Sequence, residues 1–147
     1  MLDFDKLEQY RENHRIEAKQ ALGGLPESIW ETYSAFANSQ GGIILLGVEE
    51  LEDKSLHALD ILDPQWLIED FWNLIENREV VNRNILSVEH LQTHVVDGKT
   101  IIAITVPKSN ALIYIGTDPY TGSYQRLGEG DYRLSREEVA KRLEENH

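Results

Sequence analysis

The chain reads as a single α+β domain spanning residues 1–147, with a mixed β-sheet of about five to six strands and three or four helices. Three observations predict this class. An amphipathic run ends at Gly41-Gly42, the aliphatic run Ile43-Ile44-Leu45-Leu46 follows at once, and two β-rich runs flank Asp97-Gly98. Glycine at a helix exit adopts positive φ without steric cost, so a helix can stop and reverse there. Four large aliphatics without a polar interruption suit a strand covered on both faces. Asp-Gly between β-rich runs is a hairpin signal.

Each element follows from local pattern. Phe4, Leu7 and Tyr10 recur at helical spacing, which predicts a short helix from Asp3 to about Asn13. His14 to Gln20 alternates Arg15, Glu17 and Lys19 with Ile16 and Ala18, the period of a half-buried strand. Gly23-Gly24 breaks it, and Pro26 opens a helix whose apolar face is Ile29, Tyr33, Phe36 and Ala37. The polar stretch Glu49 to Asp60 reads as a loop. Asp63-Pro64 is an N-cap with a first-turn proline, starting a helix to about Glu79. Ile85 to Val96 and Lys99 to Val106 are the hairpin strands, and Ala111 to Ile115 and Tyr124 to Leu127 are shorter ones. Ser135-Arg136-Glu137-Glu138 is a capping box for a last helix with Val139, Ala140 and Leu143 inside.

Composition narrows the function classes. With no cysteine, the chain has no disulfide framework, no thiolate metal site and no cysteine nucleophile. The N-terminus lacks a signal-peptide pattern and no apolar run approaches a membrane span, so a cytoplasmic, membrane-free protein is expected. The net charge of −12, from 26 acids against 14 Lys and Arg, opposes bulk attraction to nucleic acid and demands a local basic patch for any such contact.

The elements Glu17-Ala18-Lys19, an apolar-Pro helix start, Ala35-Phe36-Ala37-Asn38 with Gly41-Gly42, and Gly47-Val48-Glu49-Glu50 together resemble the Schlafen AlbA-like domain family. Tyr124-Gln125-Arg126-Leu127-Gly128 followed by Ser135 and a Glu-rich helix is similar to the same family's closing segment, so the resemblance spans nearly the whole chain. The family was earlier catalogued as divergent AAA and as a candidate DNA-binding domain. The resemblance implies a nucleic-acid-binding module, for DNA or RNA, at the N-terminus of a transcriptional regulator and in homodimeric form. Its alternative implication is an endoribonuclease dependent on Mg²⁺ or Mn²⁺. The metal-binding and catalytic carboxylates would then be Glu12, Glu17 and Glu50, with Lys19 contacting phosphate; Glu50 stands where most nuclease members carry Asp. A dimerisation or protein-interaction domain without nucleic-acid contact is the remaining reading.

The side chains offer both functional and bland roles. Hard carboxylate oxygens suit Mg²⁺ or Mn²⁺, but Glu17 and Lys19 can equally form an exposed pair worth under about 1 kcal/mol. Arg11, Arg15, Lys19, Lys108, Arg126 and Arg133 can track phosphates, with Tyr124 and Tyr132 stacking on bases. Arg126 is the foremost of these because it sits on the family's closing strand. Asn38 is assigned to closing the helix end. His90 and His94 lack a third spaced ligand, no Ser-His-acid set is apparent, and the diglycine follows a helix rather than starting one, which argues against phosphate cradling. Trp30, Trp66 and Trp72 read as core or interface anchors.

Overall fold

A computed structural model describes residues 2–145. Its main sheet has the order β1-β2-β6-β5, formed by β1 (Ile16–Lys19), β2 (Gly42–Leu46), β6 (Lys99–Val106) and β5 (Leu91–Val96). β1 runs parallel to β2, and the other two pairings are antiparallel. The hairpins β3 (Val48–Glu50) with β4 (Leu56–Ala58), and β7 (Tyr124–Leu127) with β8 (Gly130–Arg133), form two further sheets. The helices are α1 (Ile29–Ala37), α2 (Pro64–Ile75), the single turn α3 (Pro119–Gly122) and α4 (Arg136–Glu145).

The aliphatic run of β2 is covered on both faces. Ile44 and Leu46 pack with Ile102, Ile104 and Val106 beneath α1 and α2. Leu45 packs oppositely with Ile16, Ile101 and Ala103 under the β3–β4 hairpin and the N-terminal 3₁₀ helix Phe4–Gln9. A small satellite core of Leu112, Leu134 and Val139 docks α4. The diglycine is architectural. Gly41 has φ +77 and its N–H donates to Phe36 O at 2.8 Å. At Gly42 a Cβ would lie 2.8 Å from the Phe36 ring and 2.9 Å from Arg15 O, so only glycine lets the β2 entrance sit against α1 and β1.

Local pattern and structure part company in several places, among them the helix from Asp63-Pro64, which ends at Ile75 rather than near Glu79. The expected Asp3–Asn13 helix is a 3₁₀ helix ending at Gln9, where Tyr10 turns extended. The helix after Pro26 begins at Ile29. The acidic stretch expected as a loop holds the β3–β4 hairpin, with Glu49 and Glu50 paired to His57 and Leu56. In the Ile85–Val96 run only Leu91–Val96 is strand; Val88–His90 is a 3₁₀ turn in which Ser87 N–H donates to His90 Nδ1. Ala111–Ile115 is held largely by side chains: Ile113 N–H donates to Asn38 Oδ1 at 2.9 Å and Tyr114 N–H to Asn82 Oδ1 at 2.8 Å. Two asparagines thus supply much of the bonding that a strand neighbour would give.

Gly42→Ala should destabilise the fold by about 1–3 kcal/mol through overpacking against the Phe36 ring and Arg15 carbonyl. Urea denaturation followed by circular dichroism measures this as a lowered midpoint; an unchanged midpoint contradicts the close approach.

Candidate functional site

β1 is an edge strand, so its even-numbered residues turn their backbone groups away from β2. Exposed edge groups invite unwanted pairing unless they are covered. Here two side chains cover them. Glu12 Oε2 accepts from Ala18 N–H at 2.9 Å, and Arg126 Nη2 donates to Ile16 O at 3.1 Å. The same guanidinium donates to Asn13 O through Nε and Nη2 at 3.1 and 2.9 Å.

Arg126 also carries the charge balance of this corner. Its Nη2 meets Glu17 Oε1 at 2.9 Å and its Nη1 meets Asp131 Oδ1 at 2.7 Å. Its side chain is 1% exposed, and its Cζ lies 4.9 Å from the Phe36 ring centroid. Asp131 in turn accepts from Thr32 Oγ1 on α1 at 2.6 Å. The family-expected phosphate contact at Arg126 therefore differs from what the structure presents, since this guanidinium faces protein. Tyr124 is likewise buried, its hydroxyl 3.5 Å from Glu31 Oε1, whereas Tyr132 is exposed.

The three candidate carboxylates approach one another at this edge. Glu17 and Lys19 lie on the α1 side of β1, opposite Ile16 and Ala18. Lys19 Nζ donates to Ser28 Oγ at 3.0 Å and lies 3.8 Å from Glu17 Oε2. After β2, Gly47 N–H donates to Lys19 O at 2.9 Å and the chain passes into β3, which carries Glu50. Glu50 Oε1 lies 3.5 Å from the exposed Lys54 Nζ, a pair worth under about 1 kcal/mol. Burial pushes the Glu12 carboxyl up to about 7; the Ala18 N–H opposes this, and the nearby Glu17 and Glu50 add to it.

Glu12 accepts from the Ala18 N–H, Glu17 pairs with Arg126, and Glu50 pairs with the exposed Lys54. Among the described residues, no group of three or more His, Asp or Glu side chains is placed to hold a metal ion.

The other basic candidates are distributed over the surface. Arg11 is exposed, donates to Glu8 O and Tyr10 O at 2.8 and 2.9 Å, and faces Asp53 of the β3–β4 loop. Arg133 is exposed beside Tyr124. Arg15 and Lys108 are exposed and line one cleft of about 460 Å³ at the diglycine corner. Among the described residues neither is in an ion pair. Lys108 also lines a second, polar cleft of about 540 Å³ with Gln125 and Arg142. Asn38, at the base of this region, donates to Ile113 O at 2.8 Å and Tyr124 O at 2.9 Å, which closes the helix end.

Folding assembles one set that spacing did not reveal. Glu8 Oε1 lies 3.2 Å from His57 Nδ1, and His57 Nε2 lies 2.7 Å from Ser55 Oγ. Ser55 Oγ donates to Asp53 Oδ1 at 2.5 Å, and Ser55 is 7% exposed. The set fastens the N-terminal 3₁₀ helix to the hairpin.

The Schlafen, AlbA_2 family profile matches residues 12–135, which include the whole β1 edge and its Arg126 cap. This chain belongs to the Schlafen AlbA_2 family. The N-terminal domain of a RecG-related protein from Nitrosomonas europaea, itself a candidate ATP-dependent DNA helicase, is similar at 30% identity. The alignment covers 89% of this chain and 90% of that domain, with a TM-score of 0.61. The DIP2311 protein of Corynebacterium diphtheriae shares the fold at 18% identity and a TM-score of 0.58, over 87% of this chain and 26% of its own. No curated protein matches. Among the described residues no helix is long and apolar enough to cross a membrane.

In this AlbA_2 domain the raised Glu12 carboxyl makes a stability prediction. The folded state keeps its Glu12 proton up to about 7, whereas the unfolded chain loses it near 4.5. Between those values the folded state binds more protons, so stability falls as pH rises. Glu12→Gln retains an acceptor for Ala18 N–H and removes the ionisation. The variant's stability relative to wild type should be flat below 4.5, rise through the window to about 7, and then level off. Denaturation series across pH measure this difference; a flat difference throughout contradicts it.

Proposed function

We propose that this domain is a nucleic-acid-binding module, with Arg15 and Lys108 supplying phosphate contacts at the diglycine corner. The observation that carries the reading is family membership. It is supported by 30% identity over nearly the whole length to the N-terminal domain of a candidate DNA helicase. That similarity favours DNA over RNA as the ligand.

The charge balance shapes the expected affinity. Acids outnumber bases to a net −12, so attraction comes from a small site rather than from the body of the protein. Exposed Arg15 and Lys108 are available for such a site, whereas Arg126 and Lys19 already have carboxylate and hydroxyl partners. Two phosphate contacts imply a shallow salt dependence, with a log–log slope of about −2.

Fluorescence anisotropy with short labelled DNA and RNA, single and double stranded, tests the reading at about 50 mM salt and above. Binding should weaken as salt rises, and Lys108→Ala should lower the affinity for all sequences and reduce the slope by about 1. Absence of binding at about 50 mM salt rejects the module. Binding unaffected in Arg15→Ala and Lys108→Ala rejects this surface.

A further inference from the structure

A third concave site lies where the turn after β1 meets the start of α2, with chemistry opposite to that of the diglycine corner. It encloses about 480 Å³, and none of the residues lining it is basic. Three large apolar side chains stand out into solvent along it: Leu22 at 58%, Trp66 at 54% and Leu62 at 90% exposure. Single exposed apolar residues are ordinary, but three converging on one hollow mark an interaction site.

The rim sets the sign of the partner. Asp60 Oδ1 accepts from Thr100 N–H at 2.9 Å, and Asp63 Oδ1 accepts from Trp66 N–H at 3.1 Å. Both carboxylates are thereby oriented by backbone groups, and among the described residues neither is in an ion pair. A hollow lined by an indole and two such carboxylates favours an ammonium or guanidinium group. Phosphate is repelled, which separates this hollow from the nucleic-acid surface. A second copy is also disfavoured, because an isologous contact brings the same acidic rim against itself.

We infer that the Leu22–Leu62–Trp66 hollow docks an apolar segment of a partner protein bearing Lys or Arg, with the basic side chain over Trp66 and between Asp60 and Asp63.

The probes are two short labelled peptides, one alternating Leu and Lys and the other alternating Leu and Glu. Anisotropy reports affinity for the intact chain, and the Trp66 indole signal in NMR spectra reports location. Trp66→Ala should weaken the Leu-Lys peptide about tenfold, the scale of one desolvated cation–π contact. The double variant Asp60→Asn/Asp63→Asn keeps both backbone acceptors and removes both charges, so it decides the matter even if Trp66→Ala fails to fold; it should also lose about tenfold. A shifted Trp66 indole signal with both losses supports the proposal. Equal binding by wild type and the double variant, equal affinity for the Leu-Glu peptide, no binding at all, or a dimer that dissociates in Trp66→Ala overturns it.

Discussion

The guanidinium of Arg126 connects segments that local structure leaves separate. Burying a cation costs several kcal/mol unless charge and hydrogen bonds compensate it. Here compensation comes from Glu17 and Asp131 at 2.9 and 2.7 Å, the backbone carbonyls of Asn13 and Ile16, and the Phe36 ring. A planar fork of five donors suits such a divergent set; a lysine ammonium does not reach all of them. Its acceptors lie on the segment leading into β1, on β1 itself and on β8, and Asp131 passes the connection to α1 through Thr32. The edge of the main sheet, helix α1 and the closing hairpin thus share one charged centre.

That centre determines what the neighbouring side chains can do. Glu17 is held by Arg126 and Lys19, and Lys19 by Ser28, so both are positioned from within the fold. Glu12 is pushed toward neutrality by burial and by the acids around it. Together these cover the exposed edge of β1. The exposed side chains proposed for outside contacts divide by sign. Arg15 and Lys108 form a basic corner at the diglycine, while Asp60 and Asp63 rim the apolar hollow beside Trp66. A body with a net charge of −12 can engage a polyanion only through such a local exception.

Periodicity made the main sheet and its covering helices legible. Ile43–Leu46, the Asp97-Gly98 hairpin and the Asp63-Pro64 helix start are strong local signals, and all three are realised. The β3–β4 hairpin was not legible, because Glu49, Glu50 and His57 are polar and its pairing depends on Leu56 and Ala58 reaching the core. Nor was the strand-like run Ala111–Ile115, whose hydrogen bonds come from Asn38 and Asn82, distant in sequence. At the candidate site the family motif located Glu12, Glu17, Lys19 and Arg126 but not their mutual satisfaction. An arginine that neutralises acids 109 and 5 positions away cannot be told from a solvated one by spacing. The Glu8–His57–Ser55–Asp53 chain is hidden for the same reason.

The most direct measurement is the unfolding free energy of Arg126→Ala beside that of wild type at neutral pH. Removing the cation leaves Asp131 without its compensating charge and Glu17 with Lys19 alone, and a loss of about 3–5 kcal/mol is expected. A loss below about 1 kcal/mol is the range of an exposed ion pair and would contradict the central role given to this guanidinium.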